Sequence, residues 1–184
     1  MDIAKHPISS VKERYKRTNL NIRDGTKAQY SLIEKGFIHP VTISHSDGWI
    51  KLFDITELGR TDLKFSGFNK PISNRKGGVE HQYWMNKVAQ DYRNKGYHVE
   101  IEKSIGNGKT IDLVASRGKE VIVIEIETGK SDAIENIRKC LDAGYKSVIS
   151  IATNWETYTK IRNKNKYSTG IEIIMASKKP SIPD

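Results

Sequence analysis

Residues 121 to 127 read VIVIEIE, a run that is apolar on both faces of an extended chain and still carries two glutamates. Side chains alternate along a strand, so Val121 and Val123 lie on one face with Glu125 and Glu127, and Ile122, Ile124 and Ile126 lie on the other. Apolar residues on both faces predict a central strand rather than an edge strand. The two glutamates then converge, roughly 7 Å apart at the usual rise per residue. Two carboxylates buried side by side are costly unless a cation or a cluster of bases sits between them. The strand therefore asks for a metal ion or basic groups nearby.

The surrounding segments supply a frame for that strand. A helix is predicted from about Val79 to Asn94, stopped by Gly96, with Glu80, Trp84, Val88 and Tyr92 recurring every four residues. YHVEIEKSI and KTIDLVA follow as strands joined at an Asn107-Gly108 turn, and EVIVIEIE is the third. SDAIENIRKCLDAG reads as a helix with Ser131 as its N-cap and Ile134, Ile137 and Leu141 as its buried stripe. KSVISIA is a strand, NWETYTKIRNK a helix with Trp155, Tyr158 and Ile161 inward, and GIEIIMA a last strand. The order αβββαβαβ predicts an α/β sandwich around a mixed sheet.

The first half reads differently. SSVKERYKR is a helix capped by Ser9 or Ser10, and residues 24 to 35 form a second, with Ala28, Leu32 and Ile33 on one stripe and Gly36 as the stop. FIHPVTISHSDGWIKLFDIT gives two strands around Ser46-Asp47-Gly48, and Thr56 caps a closing helix. Helices followed by a hairpin and a closing helix resemble a winged helix-turn-helix. That likeness would place Arg23, Lys27 and Gln29 near a DNA groove and Lys51 on the wing. Gly, Pro, Ser and Asn crowd residues 66 to 78 and predict a boundary. The expected domains are 1 to 70, a linker over 71 to 78, a second domain over 79 to 176, and a tail over 177 to 184.

Three acids gain meaning from their order. Asp112 lies on the middle strand and Glu125 and Glu127 on the next, so neighbouring strands would bring them together, with Glu80 as a fourth from the helix. Hard oxygen ligands of this kind suit Mg²⁺ or Mn²⁺. The lone Cys140 leaves no cysteine-based zinc cluster and no intrachain disulfide, and fits a reducing cytoplasm. A divalent ion held by carboxylates can neutralise a phosphate and activate water.

The set Glu80, Ile111-Asp112 and Glu125-Ile126-Glu127 resembles the PD-(D/E)xK, or restriction-endonuclease-like, nucleases over about residues 78 to 176. The wording GGVEHQYW and IEIETGKSDAIENIRK is also similar to small Holliday-junction-resolvase-like and mobile-element nuclease domains. The resemblance implies an αβββαβ core and a metal-dependent DNA endonuclease, with Asp112 and Glu125 as principal metal ligands and Glu80 as a further one. It also implies a homodimer, and branched or mobile-element DNA as substrate. One position departs from the family pattern: its usual lysine is Glu127 here, so the resemblance passes that role to Glu127 itself, as a ligand or water-orienting base, to the metal, or to Lys130 or Lys139.

Charge agrees with a polyanionic partner. The net charge is +9, and residues 1 to 75 carry 13 Lys and Arg against 8 Asp and Glu, while residues 76 to 184 carry 18 against 14. Both halves are basic. No stretch is apolar enough to span a membrane, and the N-terminal residues lack an apolar signal segment, which together predict a cytoplasmic protein. Two other readings compete: a non-catalytic DNA-binding or assembly protein with a degenerate nuclease core, and a winged-helix transcriptional regulator. Whether a recruiting ATPase or recombination partner exists stays open, as does RNA against DNA.

Overall fold

The computed structural model describes residues 2–45, 48–68, 77–165 and 169–176. Most of the expected linker over 71 to 78, the tail over 177 to 184 and residues 46 and 47 of the hairpin turn lie outside the described residues. The chain divides into two compact units, Met1–Gln82 and Tyr83–Asp184.

In the first unit, α1 (Asp2–Lys5) precedes α2 (Val11–Thr18), α3 (Ile22–Glu34), the strands β1 (Ile38–His45) and β2 (Gly48–Ile55), and α4 (Glu57–Phe65). Ser10 caps α2 in a reciprocal box with Glu13, which satisfies the Ser10 and Glu13 amides at the start of the helix. Asn19 ends α2 in the left-handed conformation, and Asn21 caps α3 two residues later, so the helices meet through a short turn. Gly25 lets them approach: a Cβ there would collide with the Tyr15 ring. The α3 helix starts at Ile22 and not at residue 24, because Asn21 accepts from the Asp24 amide and draws the first turn back. Ala28, expected inward, is exposed, since Gly25 takes the buried position against α2. The antiparallel hairpin pairs Ile38 with Ile55 and Val41 with Leu52. Its inner face supplies Ile38, Phe53 and Ile55, against which Ile3, Val11, Leu32, Ile33 and Leu63 pack. Thr56 caps α4 as the sequence predicts.

The helix α5 (Gly78–Asn94) follows, and the division between the units, Gln82 to Tyr83, falls within its length. From there the second unit runs β3 (His98–Gly106), β4 (Lys109–Arg117), β5 (Glu120–Glu127), α6 (Ala133–Asp142), β6 (Val148–Ala152), α7 (Trp155–Lys164) and β7 (Ile171–Met175). Asn107 and Gly108 both take positive φ, the conformation that a tight two-residue hairpin needs. The five strands form one mixed sheet in the order β3-β4-β5-β6-β7, antiparallel across the first three and parallel across the last three. The strand β5 is central and is buried from Ile122 to Glu127.

Two parallel crossovers advance in the same direction, which places α6 and α7 on one face when their hand is the same. There Ile137, Cys140 and Ile161 pack with Val123, Val148 and Ile111. Two helix expectations change. The N-cap of α6 is Asp132, whose carboxylate accepts from the Ile134 and Glu135 amides, because the Ser131 hydroxyl is engaged elsewhere. In α7 the buried positions are Thr157 and Ile161, while Trp155 is 65% exposed.

Candidate active site

The acids meet because of strand register. Leu113 pairs with Ile124 in the antiparallel β4-β5 ladder, so the next positions, Asp112 and Glu125, face each other on the opposite side of the sheet. Glu127 follows two residues on and shares that face. Asp112 Oδ2 accepts from the Ile126 amide at 2.8 Å, so its side chain binds the strand where the ladder stops. The cluster lies wholly within Tyr83–Asp184.

The α6 helix covers the pair. Glu125 is 1% exposed; one of its oxygens accepts from Lys139 Nζ at 3.1 Å and the other from the Cys140 thiol at 3.3 Å. Burial, followed by the charge of Asp112, pushes the Glu125 carboxyl up to about 8 against the opposing pull of Lys139. Glu127 is fully buried and accepts from Asn136 Nδ2 at 3.0 Å and Ser131 Oγ at 3.2 Å. Burial raises its carboxyl too, and those two hydrogen bonds oppose the rise. Lys139 also donates to Asn136 Oδ1, which links the two glutamates through one helix turn. Burial and the neighbouring Glu125 hold the Cys140 thiol well above its ordinary range.

Of the two lysines proposed as substitutes, Lys139 reaches an acid, and Lys130 is exposed on the loop after β5. Lys139 succeeds because it flanks the buried Cys140 on the sheet-facing side of α6 and its long stem can bend inward. Glu80 occupies the first turn of α5, half-buried, in the unit Met1–Gln82. Arg23 and Lys27 are exposed on α3, and Lys51 is exposed on β2 with its ammonium 5.5 Å from the Phe53 ring centre. Gln29 instead donates its amide to the Tyr15 hydroxyl at 2.6 Å, tying α3 to α2.

Sequence reasoning passed over Ser131 and Asn136 as partners of the acids. Their signal was the face of α6: Asn136 and Lys139 lie one turn apart beside Ile137 and Cys140, so polar groups flank the stripe that covers the acids.

Two facing carboxylates, one raised by burial and by its neighbour, form a donor set whose charge a divalent cation would relieve. Mg²⁺ commonly takes one or two carboxylates and completes its shell with water and phosphate oxygens. Asp112 and Glu125 are carboxylates of that kind, and both Glu125 oxygens are engaged by Lys139 and Cys140. Among the described residues, no three His, Cys, Asp or Glu side chains are arranged to hold a metal ion by themselves.

No family model matches the chain, and no curated protein does. Among solved structures it is similar to AF1548, a protein of unknown function, with 17% identity over 53% of this chain and 60% of that one and a TM-score of 0.38. It is also similar to VC1899 from Vibrio cholerae, with 10% identity over 95% of this chain, 49% of that chain and a TM-score of 0.33. The chain thus spans about half to three fifths of the length of these two structures. No helix among the described residues is long and apolar enough to cross a membrane.

Proposed function

We propose that the chain is a metal-dependent deoxyribonuclease of the PD-(D/E)xK kind, preceded by a winged-helix-like DNA-binding unit. The observation that carries the reading is Asp112 facing Glu125 at the end of the central strands, with Lys139 bonded to Glu125. The element order from α5 to β6, αβββαβ, supports it. Asp112 and Glu125 would hold Mg²⁺ or Mn²⁺. Such an ion, when bound, would supply Lewis-acid stabilisation of phosphoryl oxygens and a more acidic water.

The remaining chemistry falls to the protein. Lys139 keeps a positive charge against the acids and takes the place of the lysine that the family carries where this chain has Glu127. Glu127, fixed through both oxygens by Asn136 and Ser131, is held in one orientation to accept the proton of the attacking water. The water oxygen forms its bond to phosphorus as the opposite ester bond breaks in line, and the leaving oxygen departs with a proton from solvent. Arg23, Lys27 and Lys51 would hold the duplex through phosphates, with Gln29 in a packing role. A second copy of the chain would present a second site to the other strand.

A second reading has its own support. Ser131, Asn136, Lys139 and Cys140 already satisfy Glu125 and Glu127, as they would in a DNA-binding protein that no longer cuts. Labelled linear, nicked and four-way-junction DNA, incubated with Mg²⁺, Mn²⁺ or EDTA, separates the two. Cutting that requires the ion, disappears in Asp112→Ala and falls about a hundredfold or more in Lys139→Met supports the nuclease. Binding without cutting under every condition assigns the chain to the non-catalytic class.

A further inference from the structure

Thr157, in the first turn of α7, is 6% exposed, and among the described residues its hydroxyl makes no hydrogen bond. Its amide is bonded to Asn154 Oδ1 at 2.9 Å, which caps the helix and leaves the side chain uncommitted. A polar group buried this far ordinarily has a partner. The residue lines a groove of about 280 Å³ that the loop after β5 and the start of α6 also line. Gly129 stands opposite: a Cβ there would lie 2.7 Å from Thr157 Oγ1, so the hydroxyl points towards the loop and the glycine leaves the space before it open.

The rest of the groove is cationic. Lys130 enters from the loop and Lys160 and Lys164 from α7, all three exposed and, among the described residues, none in an ion pair. Lys160 and Lys164 are four apart on one helix face, where like charges repel. Asp132, the acid among the lining residues, is committed to the amides of Ile134 and Glu135. Three lysines less Asp132 leave two net positive charges. An anion that meets donors from the loop, from α7 and from the Thr157 hydroxyl needs acceptors in more than two directions, which a phosphate has and a planar carboxylate lacks. A phosphate monoester carries about −1.5 to −2 near neutral pH and balances the groove, whereas a diester link carries roughly one charge.

Size and position narrow the ligand further. Pockets for small molecules run from about 300 to 1,000 Å³, so the groove admits one phosphorylated end group and not a run of nucleotides. Ser131 lines it and donates its hydroxyl to Glu127 at 3.2 Å, so one residue touches both the groove and the acids. We propose that this groove is a pocket for a phosphate monoester, the terminal phosphate of a nucleic-acid strand, with Thr157, Lys130, Lys160 and Lys164 as its donors. The pocket itself stands on these residues; only the use of the held end to set the distance to the cut rests on the nuclease reading.

The test measures, in EDTA, binding of the full chain to an internally labelled twelve-residue oligo-dT with a 5′-phosphate, a 3′-phosphate or hydroxyls at both ends. Wild type is compared with Thr157→Val and with the double variant Lys160→Ala/Lys164→Ala, a thermal melt matching wild type certifying each fold. The expected result is about tenfold tighter binding of one phosphorylated end than of the hydroxyl-ended strand. That preference should fall to about twofold or less in the double variant and shrink about fivefold in Thr157→Val, whose affinity for the hydroxyl-ended strand stays near wild type. Equal affinity for the three strands in wild type overturns the proposal, as does a preference that both variants keep. Inorganic phosphate that raises the melting temperature of wild type but not of Thr157→Val, with no preference among the strands, assigns the groove to a free phosphorylated small molecule and overturns the strand-end assignment. Because no cleavage is read, an end preference in a protein that never cuts leaves this inference standing while the nuclease reading falls.

Discussion

Glu125 is a carboxyl kept mostly protonated at neutral pH when no divalent ion is present, since burial and Asp112 outweigh Lys139. Its folded value of about 8 lies above the ordinary 4.5, so between these values the folded chain holds a proton that the unfolded chain has released. Stability from this group is then complete below about pH 4.5 and declines as pH rises towards 8, by at most roughly 1.4 kcal/mol per pH unit. Melting in EDTA between pH 5 and 8 should show that decline, and Glu125→Gln should flatten it. An equal slope in the variant would assign the pH dependence to other groups. At this scale the sequence disclosed the acids because strand alternation fixes their face. It did not disclose Asn136 or Ser131, whose partner Glu127 is brought to them by α6 packing on β5.

Helices were legible as elements and less so in their rotation. In α7 the buried stripe contains a threonine, Thr157, and the sequence pattern favoured the larger Trp155. Large apolar side chains are a weaker guide to rotation when the helix is only ten residues long. In α3 the reverse happens: Gly25, a residue that ordinarily weakens helices, occupies the buried position. Ala for Gly inside a helix normally gains about 1 kcal/mol. Here Gly25→Ala should instead destabilise, by roughly 1–3 kcal/mol as for other overpacked sites, because the methyl meets Tyr15. Denaturant unfolding followed by circular dichroism gives the sign, and a gain in stability would show that α2 and α3 can separate without loss. Tyr15 also accepts the Gln29 amide, so the same variant should disturb that bond.

Across the whole chain, the order of strands and helices in the second unit followed from alternating periodicities. Gly, Pro, Ser and Asn mark residues 66 to 78 as a break, and the two compact units divide shortly after it, between Gln82 and Tyr83. The cluster of acids belongs to one unit, and its partners come from the neighbouring strand and from α6, so it depends on how those elements pack rather than on any one segment's pattern.

The thiol bonded to Glu125 belongs to the sole cysteine of the chain and is fully buried. A thiol reagent therefore reads the chain at one atom, and that atom sits behind the acids. Labelling with a disulfide reagent should be slow in the native protein and complete at once in denaturant, because the reagent gains access only when α6 lifts from β5. The chain thus carries its own clock for the opening of this layer, requiring no engineered probe. If the cation reading holds, Mg²⁺ should slow the clock, whereas rapid native labelling would show that α6 is not held down on the acids.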